Sequence, residues 1–75
     1  MTWEELKEKA KELGYRLVED DGDISYLGIT EFLFLEKDGV DITFFDYGSI
    51  EVDHGYILAE DRTPDQMYQI MLALR

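Results

Sequence analysis

Apolar positions recur at helical spacing at both ends of the chain and at strand spacing between them. Near the start, Trp3, Leu6, Ala10 and Leu13 fall on one helical face, and Glu4, Lys7, Glu8, Lys11 and Glu12 occupy the rest. Thr2 is placed to cap this helix, Glu5 three residues on returns the bond, and Gly14 offers a left-handed stop. Glu5 and Lys9 add an i,i+4 pair in the favourable direction. A second helix is predicted from Thr63-Pro64-Asp65-Gln66, with proline at the first helical position and Gln66 completing a capping box. Met67, Ile70, Met71 and Leu74 form its apolar stripe.

Between the helices, alternation and turn residues read as an antiparallel meander. A one-residue slip reverses the face of every side chain, so the sequence itself tests the register. Asp38-Gly39 as a two-residue turn pairs Lys37 with Val40, Leu35 with Ile42 and Leu33 with Phe44, which keeps the apolar residues together. For the next hairpin, a two-residue turn at Tyr47-Gly48 would oppose Phe44 and Glu51. A three-residue loop, Asp46-Tyr47-Gly48, instead pairs Phe44 with Ile50 and Ile42 with Val52. A last strand runs from Tyr56 to Ala59 after Asp53-His54-Gly55. Two- and three-residue versions of that loop give it opposite facings, and both stay open. Tyr15–Val18 and Ile24–Leu27, on either side of an acidic turn from Glu19 to Asp23, read as an extra short hairpin.

The expected fold is therefore α+β: one domain over residues 1–75, an antiparallel β-meander of three to five strands flanked in sequence by two helices packed on one face. The helices cover the side bearing Leu33, Ile42, Phe44, Ile50 and Val52. The other side then carries Phe32, Phe34 and Phe45, flanked by Glu36, Asp41, Thr43, Glu51 and Asp53. Phe32, Phe34, Phe45, Asp41, Glu51 and Asp53 are the candidate interaction surface, since contiguous apolar patches on small proteins are usually functional. The competing use of the three phenylalanines is a second small core, because a chain of roughly 60 residues buries only about 60% of its unfolded surface.

Charge sharpens this picture. The 75 residues carry a net charge of −11, and thirteen of the Asp and Glu residues lie between Leu17 and Asp61 against a single basic residue, Lys37. Such a segment repels phosphate backbones and favours basic partners, so no direct nucleic-acid binding is expected. The hydrophobic fraction of 45% is too high for a disordered acidic tail. With no cysteine, disulfides, thiolate zinc sites and thiol catalysis are excluded. No basic leader followed by an apolar run and no membrane-length apolar segment appears, which gives the expectation of a soluble, cytoplasmic protein.

Candidate chemistry is thin. An EF-hand loop begun at Glu19 supplies Glu19, Asp21 and Asp23 but then Ile24 and Thr30 where glycine and glutamate are needed. Asp41 opposite Asp53, with Glu51 nearby, opposes like charges that a divalent cation would relieve; splayed strand ends and water relieve them too, and no metal is expected. His54 beside Asp53 lacks an activated nucleophile, Ser25 and Ser49 being the only serines. The glycines are isolated, with no phosphate cradle, so no cofactor and no enzymatic activity are expected.

The order helix, three or more strands, helix resembles the layout of double-stranded-RNA-binding domains and of HicA-type toxin nucleases. Those families place basic residues at the second helix. Here that segment offers only Arg62 and Arg75 and begins Thr63-Pro64-Asp65-Gln66, so RNA binding does not carry over. The expected function is that of a small acidic, non-enzymatic interaction module, an accessory protein of a bacterium or phage, that binds another protein through its sheet face or associates with itself. The alternative is a nucleic-acid mimic, an inhibitor or antitoxin-like protein whose carboxylates occupy a basic groove.

Overall fold

The computed structural model describes residues 1–20, 30–53 and 55–74. A helix α1 (Trp3–Glu12) is followed by five strands, β1 (Arg16–Asp20), β2 (Thr30–Lys37), β3 (Val40–Phe45), β4 (Ile50–Val52) and β5 (Tyr56–Ala59), and by a second helix α2 (Pro64–Leu74). The strands form one antiparallel sheet in the order β1-β2-β3-β4-β5. The chain is an α+β fold of the predicted kind, with five strands among the described residues.

Both predicted registers are present. Leu33 pairs with Phe44 and Leu35 with Ile42 across the Asp38-Gly39 turn, whose residues have φ of 53° and 80°. Both angles are positive, as the right-handed twist of a two-residue hairpin requires. Phe44 pairs with Ile50 and Ile42 with Val52, and Gly48, at φ 106°, closes the three-residue loop. Both capping boxes form: the Thr2 hydroxyl accepts from the Glu5 amide at 3.2 Å, and the Thr63 hydroxyl from the Gln66 amide at 3.2 Å.

Two local expectations differ. Glu5 is engaged at the cap while Lys9 lies 5.4 Å over the Tyr68 ring, so each member of the expected i,i+4 pair has another partner. Glu19 and Asp20, expected in an acidic turn, extend β1 and pair with Glu31 and Thr30, because β2 is long enough to offer them a ladder. The rest of that turn and Ile24–Leu27 lie outside the described residues, as does His54.

The core sits between the helices and one face of the sheet. Leu17, Leu33, Phe44, Ile50 and Ala59 form a row across all five strands, packed with Leu6 and Ala10 of α1 and Met67 and Met71 of α2. Tyr15 stands edge-on to Phe44 with ring centres 5.5 Å apart. Its hydroxyl is buried with no hydrogen-bond partner among the described residues, and burial pushes the phenol up to about 12. At the rim of this face, Glu31 accepts from Trp3 Nε1–H at 2.7 Å and pairs with Lys7 at 3.0 Å. Those two partners hold its carboxyl below the usual glutamate range. Lys37 donates to the Leu74 carbonyl at the end of α2, where a cation complements the helix dipole.

The facing of β5 is now settled. Its loop has three residues, with Asp53 at φ 49° and Gly55 at φ 146°, and Val52 pairs with Tyr56. Ile57 then opposes Glu51, but Ala59 opposes Ile50, so Leu58 is the extra residue of a β-bulge.

Candidate functional site

The outer sheet face is built by the alternation that builds the core, one residue out of step. Arg16, Phe34, Thr43, Glu51 and Ile57 make a complete cross-strand row. Beside it Val18, Phe32 and Phe45 make a second. Phe32 and Phe45 lie 5.5 Å apart between ring centres, and Tyr47 stacks on Phe45 at 5.2 Å. Phe34 lies under the Arg16 guanidinium, 5.3 Å from its ring centre, a cation–π arrangement. The three phenylalanines are half-buried, shielded in part by one another and by Arg16, while Tyr47 is 63% exposed.

The acids are arranged along the same face. Glu36 pairs with Asp41, and the Asp53 amide donates to the Asp41 carbonyl at 2.9 Å, which sets the three in sequence across the sheet. Thr43 separates Glu51 from Phe34 in the neighbouring row. Phe32, Phe34, Phe45, Asp41 and Glu51 thus share one face, with Asp53 in the turn at its margin. Among the described residues no three potential metal ligands cluster closely enough to hold an ion.

The face is electrically polarised. Arg16 marks its β1 end, and Lys37, the lone basic residue of the acidic segment, is spent on the α2 terminus. At the β4–β5 end an open concavity of about 400 Å³ is lined by Tyr47, Ser49, Glu51, Gly55, Ile57, Glu60 and Asp61. Partial burial, then the nearby Glu51 and Asp46 carboxylates, raise the Tyr47 phenol above its ordinary value. Sequence reasoning missed Tyr47, Ile57 and Arg16. Tyr47 was hidden as a turn residue, Ile57 by the undecided β5 facing, and Arg16 by the pairing of β1 with β2.

No family model matches the chain, and no curated protein or solved structure matches it. No helix among the described residues is long and apolar enough to cross a membrane.

Proposed function

We propose that this chain is a non-enzymatic interaction module that binds a basic protein through the outer face of its sheet. The observation that supports this reading is the line of ring contacts from Phe32 through Phe45 to Tyr47, with Phe34 beside it, on the side of the sheet away from the helical core. Half-buried rings offer apolar area that a partner can finish covering without first unfolding anything. The acids at the β4–β5 end supply the charge that selects a basic partner over an acidic one.

The test is capture from the native host with the tagged chain, comparing the parent with Phe34→Ala and Phe45→Ala. A basic protein retained at raised salt by the parent and lost from both variants supports the reading. Capture of nucleic-acid-binding proteins that disappears at raised salt and ignores both substitutions would favour the nucleic-acid mimic, since carboxylates imitating phosphates act through screened charge.

A further inference from the structure

The strand β5 ends the sheet, so among the described residues no strand adjoins its outward edge. Natural edge strands are usually guarded by lysine, proline or inward charges. Between Tyr56 and Ala59 there is none of these, and Tyr56, Ile57 and Leu58 are 72%, 59% and 59% exposed. Among the described residues the bulge at Leu58 and the strand's four-residue length are the guards it has. Ile57 also walls the acid-lined concavity, together with Tyr47, Glu51, Glu60 and Asp61.

From this we infer that β5 is a docking edge for an extended segment of a basic protein, which adds to the sheet as a further strand and alternates Lys or Arg with apolar residues. The alternation follows from the sheet. Side chains of an added strand point to opposite faces in turn. Those on the outer face, beside Ile57, meet the Glu51, Glu60 and Asp61 carboxylates and the Tyr47 ring, which suit a cation. Those on the other face lie beside Tyr56, in the row of Val52, Ile42 and Leu35, which suits an apolar side chain. A second copy of this chain fits poorly, because it brings its own net charge of −11 and its own carboxylates to the same groove. The inference rests on the proposed basic partner; its groove shares Tyr47 and Glu51 with the outer face but includes none of the three phenylalanines.

The probe is a blocked peptide of about ten residues alternating valine and lysine, added to the full chain at low salt, with backbone amide exchange read residue by residue. The expected result is protection of the Tyr56–Ala59 amides raised about tenfold or more at saturating peptide. Ile57→Lys should abolish this protection. The double variant Glu60→Gln with Asp61→Asn should weaken binding about tenfold, because it removes two of the groove's carboxylates. Any of four results overturns the inference: no added protection at β5, protection at β1 instead, equal binding of a valine–glutamate peptide, or equal binding of a peptide with its valines and lysines in separate blocks. Sedimentation of the chain alone as a dimer with β5 already protected would assign the edge to a second copy. Phe34→Ala leaves β5 and its groove intact, so failure of the aromatic-face reading leaves the peptide result unmoved.

Discussion

Phe44 and Phe45 are neighbours in sequence and opposites in the sheet, and replacing each by alanine separates the core from the proposed binding face. Phe44 is fully buried, between Leu33 and Ile50 in its row and with Tyr15 edge-on. Its truncation removes a buried ring and leaves a cavity that the two helices cannot collapse, a loss of about 3–5 kcal/mol. A domain of this length is stable by roughly 4–11 kcal/mol, so Phe44→Ala sits near the unfolding threshold. Phe45 is half-buried and touches Phe32 and Tyr47. Losing the larger part of a phenylalanine's burial and two ring contacts, with no enclosed cavity left behind, costs about 2–3 kcal/mol. Urea unfolding followed by circular dichroism measures both, with Phe44→Leu as a milder core variant should Phe44→Ala fail to fold. Equal and severe destabilisation by the two alanine substitutions would refute the reasoning: the outer face would then be a second core, and a binding surface there would have to be abandoned.

Gly48→Ala should cost about 2–3 kcal/mol or more, against about 1 kcal/mol for Gly39→Ala in thermal unfolding. A Cβ at Gly48 would lie 3.1 Å from both the backbone N and O of Arg62, whose amide donates to the Gly48 carbonyl, whereas Gly39 faces open space. Tyr15→Phe should leave stability unchanged or raise it by about 1 kcal/mol, because it removes a buried hydroxyl that has no partner among the described residues. The same substitution should lessen the loss of stability between about pH 10 and 12: over that range the unfolded tyrosine gives up its proton while the folded one, with its pKa near 12, keeps it. Glu31→Gln should destabilise at neutral pH by weakening the bonds from Trp3 and Lys7. Parent and variant should converge in thermal melts as pH falls below about 4, since a lowered folded pKa gives stability that is present above the unfolded value and lost as the carboxylate protonates.

The sequence by itself determined whatever depends on neighbours a few residues apart. Caps at Thr2 and Thr63 depend on a residue three positions on, and the β2–β3 and β3–β4 registers depend on turn length and period-two alternation, which leave one pairing that keeps Phe44 opposite apolar residues. That same alternation placed Phe32, Phe34 and Phe45 together on the outer face. Only the tertiary structure decided the long-range pairings. The match of β1 to β2 sets Arg16 over Phe34, and the Leu58 bulge returns Ala59 to the core row opposite Ile50. The approach of the Gly48 loop to Arg62, and the contacts of Glu31 with Trp3 and Lys7, arise because the helices and the sheet must close around one core. A bulge or a cross-sheet ion pair is selected by the packing of the whole chain, and no local spacing rule encodes it.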